Sequence, residues 1–165
     1  MPAVSEPPSP RLPPLPRTWR PLGPRVVGIA ITVALATMCV TTWFTFDEET
    51  RGKFTIFQRG TLVFFALLFC VLMYALLRSR AVAYTDRLVV VNGYRRREFG
   101  WPQVVAARMP PGAPWVTLDL ADGETVAVMG IQGSDGDRAR RALRELRLLL
   151  AELSAPPPAP PTSLR

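Results

Sequence analysis

The stretch that decides the fold is AVAYTDRLVVVNGYRRREFGWPQV, Ala81 to Val104. Runs rich in valine and aromatic residues, which favour strands, flank Asn92-Gly93. Asn-Gly in that setting is a strong hairpin signal, because both central residues of a type I′ turn need positive φ. A two-residue Asn92-Gly93 turn predicts the pairs Val91–Tyr94, Val90–Arg95, Val89–Arg96 and Leu88–Arg97. Leu88, Val90, Arg95, Arg97 and Phe99 then share one face, and Val89, Val91, Tyr94, Arg96 and Glu98 the other. Neither face is purely apolar. If Leu88, Val90 and Phe99 point inward, either an arginine projects past the sheet edge or a bulge resets the register. The expectation is a bulge within residues 95–97.

Strand patterns continue downstream. QVVAARM follows Trp101-Pro102, PPGAP is a loop, WVTLDL alternates with period 2, ADG turns, and ETVAVM alternates again. The period then changes. In SDGDRARRALRELRLLLAELS the apolar positions 139, 142, 143, 146, 149, 150 and 153 form one helical face. Ser134 or Asp135 is the expected cap, Asp137 suits the positive end, and Arg141–Glu145 is an expected pair one turn apart.

Upstream, Val26 to Phe46 is 21 residues without a charge. At about 1.5 Å per residue that matches the roughly 30 Å hydrocarbon core of a bilayer. Trp43, Phe44 and Phe46 gather at its far end, where aromatic side chains favour the interface. A second apolar run, Thr61 to Leu77, is followed at once by Arg78 and Arg80, which can reach back to headgroups. Between the runs, residues 47–60 carry three acids and three bases. The outer ends are the more basic: Arg11, Arg17, Arg20 and Arg25 against Glu6 before the first run, and Arg78, Arg80 and Arg87 after the second. The positive-inside rule then predicts both termini in the cytoplasm.

Composition removes several function classes. There is no His, so the commonest general base and metal ligand are missing. Cys39 and Cys70 both sit in apolar runs, too far apart for a zinc or redox motif. The 18 prolines crowd the two ends, so residues 1–25 and 154–165 are expected as disordered Pro-rich tails. PRLPPLPR has the look of an SH3 ligand, a pattern cheap enough to arise in any Pro-rich tail. No secretory-signal layout is expected in the first residues.

Six or seven antiparallel strands followed by one amphipathic helix can form a strongly bent sheet, or partly open barrel, plugged by that helix. With AVAYTDRLVVVNGYRRREFGWPQV, WVTLDLADGETVAV and a terminal helix in that order, the chain resembles bacterial pleckstrin-homology (PH)-like domains. In particular it resembles the actinobacterial membrane-protein family named after low-molecular-weight protein antigen six. The resemblance covers residues 26–153 and implies two transmembrane helices before the domain. The expected α+β membrane architecture is therefore a transmembrane helix at 26–46, an extracytoplasmic loop at 47–60, a second helix at 61–78 and a PH-like domain at 81–153. A fold of this kind does not fix an activity.

The candidate contact residues are Arg95, Arg96 and Arg97, joined by Arg78, Arg80 and Arg87. A solvated strand edge, attraction to an anionic leaflet worth about 1 kcal/mol per arginine, and a specific anion pocket are the three readings. Arg138, Arg140, Arg141, Arg144 and Arg147 read as the exposed face of the last helix. Trp101 and Trp115 read as packing residues, and Asp122 as a turn former beside Asp119 and Glu124. No catalytic residue, metal site or cofactor is expected. The expected partners are the plasma membrane, a protein that the sequence does not name, and alternatively anionic lipid. Nucleic acid is not expected, because no aromatics interleave with the bases. The function expected is a non-catalytic interaction module at the cytoplasmic face of a bacterial plasma membrane; the alternatives are a sensor of anionic lipid headgroups through a basic surface and an enzyme of unknown type.

Overall fold

The computed structural model describes residues 12–154. The expected tails at residues 1–11 and 155–165, including part of PRLPPLPR, lie outside the described residues. Among the described residues two helices are long and apolar enough to span a membrane, α1 (Gly23–Thr45) and α3 (Ile56–Arg78). Almost none of their surface is buried within the protein, as expected for helices apolar on all sides that require lipid around them. Both exceed the expected spans. Residues 47–60, expected as a loop, hold a short helix, α2 (Glu48–Lys53). Asp47 caps α2 by accepting from the Thr50 N–H at 3.0 Å. Thr55 and Gln58 form a capping box that starts α3 five residues before Thr61.

Seven strands build two antiparallel sheets that do not close into a barrel. Sheet A has the order β1 (Arg17–Trp19), β2 (Arg80–Ala83), β3 (Arg87–Asn92), β4 (Arg95–Gly100). Sheet B has the order β5 (Val104–Arg108), β6 (Trp115–Leu120), β7 (Thr125–Gln132). Helix α4 (Asp137–Leu153) buries Ala139, Ala142, Leu143, Leu146, Leu149 and Leu150 against the sheets, the face its periodicity predicts. Gly130 lets β7 cross β2 closely: a Cβ there would lie 2.5 Å from the Ala81 backbone nitrogen.

The first correction concerns residues 1–25. Within that expected tail, Arg17–Trp19 is a strand, paired with β2 through Arg17–Ala83, Thr18–Val82 and Trp19–Ala81. Trp19 is 6 % exposed and belongs to the main core with Leu88, Leu118 and Leu146. A segment before the two apolar helices thus completes a sheet formed after them.

The second correction is the hairpin register. Asn92 pairs with Arg95, Val90 with Arg97 and Leu88 with Phe99, so Gly93-Tyr94 forms the turn. Gly93 has φ +60° and Tyr94 does not have positive φ, the pattern of a type II′ turn with glycine first. Asn92 is withheld from the turn by long-range bonds. Its Nδ2 donates to the Ala127 carbonyl at 2.6 Å and its Oδ1 accepts from Met129 N–H at 3.0 Å, tying β3 to β7. The slip moves partners by two positions and leaves the faces as expected: Leu88, Val90 and Phe99 are buried. No bulge interrupts β3–β4; the register irregularities fall at Val104/Ala106 and Trp115/Val116. Arg97 instead reaches past the sheet to Glu124.

The expected α4 contacts are also replaced. Asp135 caps α1, accepting from Leu22 N–H at 2.8 Å and Gly23 N–H at 2.7 Å, while α4 starts at Asp137 with Gly136 as its N-cap and no side-chain cap. Glu145 binds Arg17 and Trp19 rather than Arg141.

Candidate functional site

The strand register sorts the six candidate arginines along sheet A. At the end next to the helices lie Arg80, opposite Val91, and Arg95, opposite Asn92. Arg78 is the last residue of α3. At the far end Arg87 pairs with Gly100. Arg87 and Asn92 lie at the two ends of β3, about 17 Å apart at the usual strand rise. The six therefore do not converge on one pocket.

Their partners differ as well. Arg97 makes a two-pronged contact with Glu124, at 3.0 Å and 2.7 Å, and its guanidinium lies 5.1 Å from the Phe99 ring centroid. That hydrogen bond, with charge attraction added, holds the Glu124 carboxyl below the usual carboxylate range and raises Arg97. Arg96 pairs with Glu98, and Glu98 also meets Arg87 at 3.2 Å, a chain of charges on the outer face. Arg87 further pairs with Asp86 at 2.6 Å and lies over the Tyr84 ring. Arg78, Arg80 and Arg95 have no carboxylate within 4.0 Å among the described residues. Of the six candidates these three, all at the helix end, are the ones without an acidic partner among the described residues.

Three contacts clamp that end of the domain to the helices, and a fourth ties the helices to each other. Arg25 of α1 donates from Nε to the Leu77 carbonyl of α3 at 3.1 Å, and its Nη2 reaches the same oxygen. Ser79, 1 % exposed, accepts from Gly93 N–H at 3.0 Å. The Tyr94 hydroxyl donates to the Val71 carbonyl at 2.7 Å. Asp135 completes the set on α1. Sequence reasoning missed all four, since each joins residues at least 14 apart. The one local signal was Tyr94 itself, an aromatic at a turn tip.

A groove of about 390 Å³ runs between β1 and α4, lined by Arg20, Arg138 and Arg141 among others. Both of its acids are engaged, Asp135 by α1 and Glu145 by Arg17 and Trp19. The remaining expected positions are structural. Trp101 is 2 % exposed and its Nε1 donates to the Tyr84 carbonyl at 3.1 Å. Asp122 accepts from Glu124 N–H at 2.9 Å within its turn, and Asp119 faces Arg108. No group of three or more His, Cys, Asp or Glu able to hold a metal occurs among the described residues.

The order of elements, two apolar helices followed by the strands of two antiparallel sheets and a C-terminal helix packed on them, fits the resemblance drawn from sequence. Residues 78–149 match the family described as the bacterial PH domain. This part of the chain is similar to the bacterial PH domain and has a PH-like fold. Strand β1 lies outside the matched stretch, so the PH-like domain here is completed by residues the family match does not include. An uncharacterised protein of Mycobacterium bovis is 38 % identical over 91 residues, covering 55 % of this chain and 52 % of that protein. Uncharacterised proteins of two Mycobacterium tuberculosis strains match with the same identity and coverage. The chain spans about half the length of these curated relatives. No solved structure matches it significantly.

Proposed function

We propose that the chain is a non-catalytic interaction module, anchored in a bacterial plasma membrane by α1 and α3, with its PH-like domain on the cytoplasmic side. The observation that carries this reading is the clamp between domain and helix ends, Asp135 on α1, Gly93 on Ser79 and Tyr94 on Val71, with Arg25 on Leu77 tying the two helices together beneath it. A domain clamped in this way keeps one orientation. Its helix-distal surface, at the Arg87 end of sheet A, can then meet a protein partner in a defined pose. The pairing of β1 with β2 supports a common side for both outer ends of the helix pair. The arginine excess at those ends supports the cytoplasm as that side.

Photo-crosslinkers at Asp86, on the distal surface, and at Phe57, near the opposite helix turn, test the reading in host membranes. One discrete protein adduct from Asp86 and none from Phe57 is expected; no adduct from Asp86 would contradict it. Aqueous labelling of a cysteine at Asp86 from outside intact cells would overturn the orientation.

A second reading, an anionic-lipid sensor, is favoured by one observation: Arg78, Arg80 and Arg95 gather at the helix end without acidic partners. Attraction of about 1 kcal/mol per arginine near an anionic surface gives the trio a measurable preference. Native mass spectrometry of the full chain from mixed phosphatidylcholine–phosphatidylglycerol membranes should retain phosphatidylglycerol. Replacing all three with Gln should reduce that retention, whereas Arg87→Gln should not. Equal retention by every variant would remove the lipid reading.

A further inference from the structure

We propose that the β3–β4 turn, Gly93-Tyr94, is a third membrane contact, seated in the interfacial zone of the bilayer beside α3. The inference rests on α3 as a membrane span and on neither of the two ligand readings.

The last apolar residue of α3 is Leu77, followed by Arg78. Val71 lies six residues earlier, about 9 Å down the helix at 1.5 Å per residue. The Tyr94 hydroxyl donates to the Val71 carbonyl at 2.7 Å. The turn backbone is higher: a Cβ on Gly93 would lie 3.6 Å from the Ala75 Cβ. The phenol therefore points down the helix, toward the interior of any bilayer that α3 crosses. The Tyr74 ring lies alongside, its centroid 6.2 Å from that of Tyr94.

The chemistry fits that depth. A phenol directed into an apolar phase needs an acceptor there, because an unpaired hydroxyl out of water is costly. The helix carbonyl supplies one. The turn is also provided for at the backbone, since Gly93 N–H is bound by Ser79, which lowers the cost of bringing the turn close to the apolar phase. Tyr94 is nonetheless 58 % exposed and Tyr74 56 % exposed. Neither ring is covered by protein, and tyrosine is enriched where bilayer meets water. Arg95, next in sequence and without a carboxylate partner among the described residues, is positioned to extend up to the headgroups. The occupant of this aromatic surface is lipid.

The test uses the full chain with Cys39→Ala and Cys70→Ala, in vesicles of phosphatidylcholine with a minority of phosphatidylglycerol. Nitroxide labels are placed singly by Tyr94→Cys, Asp86→Cys and Leu68→Cys, and their accessibility to oxygen and to a water-soluble nickel complex is compared. The oxygen-to-nickel ratio should be several-fold higher at 94 than at 86, and highest at 68. A ratio at 94 equal to that at 86, with 68 buried, overturns the proposal alone. A water-accessible 68 overturns it together with the span. As Tyr94→Cys removes the anchoring hydroxyl, a second label at Arg95→Cys keeps Tyr94 in place. It should read intermediate between 86 and 68, and a value equal to that at 86 counts against the proposal.

Discussion

The Trp19 indole nitrogen donates to Glu145 Oε2 at 2.9 Å, joining a strand before the two apolar helices to the helix that closes the domain. The same carboxylate receives Arg17 Nε and Nη2, each at 2.9 Å. Charged, forked contacts of this kind are stronger than neutral ones, and this one is partly shielded, with the Glu145 side chain 25 % exposed. Trp19→Ala should cost about 3–5 kcal/mol, since a buried aromatic is lost from the core. Glu145→Ala should cost about 1–3 kcal/mol by leaving the indole N–H without its acceptor. In a double-mutant cycle read by denaturation in detergent, the two losses should be less than additive. Strict additivity would mean that the contact carries no energy.

A PH-like domain cut at residues 81–153 should be an incomplete fold. It lacks β1, so the core loses Trp19 and β2 becomes an uncovered edge. The excised domain should melt well below the domain in the full chain, and a peptide of residues 12–22 added in trans should raise its melting temperature. Equal melting with and without the peptide would show that β1 is dispensable.

Asn92 offers a separate check on the hairpin. Its amide makes both of its interstrand bonds to the backbone of β7, so Asn92→Ala should cost about 1–3 kcal/mol by leaving those groups unpaired. Asn92→Asp should be at least as costly, because a carboxylate would face the Ala127 carbonyl without a donor. If Asn92 were instead an ordinary turn residue, Asn92→Gly would be neutral or stabilising. Denaturation midpoints of the three variants decide between the two accounts.

The Arg97–Glu124 pair predicts a small acid effect. The folded pKa of Glu124 lies below its unfolded value, chiefly through the Arg97 hydrogen bond. The pair's contribution is therefore complete above the unfolded pKa and disappears as pH falls through the folded one. Both side chains are exposed, which keeps the effect small. Arg97→Gln should return the Glu124 titration, followed by carboxyl NMR, to the ordinary carboxylate range. An unmoved titration would show that the pair does not persist in solution.

The elements legible in the sequence were those set by local pattern. The period-2 runs became β2–β7, the helical stripe at 139–150 became the buried face of α4, and the two apolar runs became α1 and α3. Local rules failed where a residue had a better partner far along the chain. Asn92 next to glycine reads as a turn, yet β7 binds it, and the turn moves one residue on. Asp135 reads as a cap for the helix that follows, yet it caps one that begins 112 residues earlier. Glu145 reads as a partner for Arg141 one turn away, yet its partners lie in β1. The strand at Arg17–Trp19 is only three residues long and lies between Pro16 and Pro21, too short to show periodicity. Its one signal is a tryptophan in a segment with few other large apolar side chains. Among the arginines, sequence order made Arg87 and Arg95 look like neighbours, whereas the hairpin places them at opposite ends of one sheet.

Arg17–Trp19, from before the helix pair, is an integral strand of the domain that follows it. Amide hydrogen exchange on the full chain in lipid nanodiscs tests this most directly, through a peptide covering Pro16–Arg20. Exchange slowed to the time range of β2, and accelerated by Glu145→Ala, is the predicted result. Exchange at the rate of an open chain, unaffected by that substitution, would contradict it.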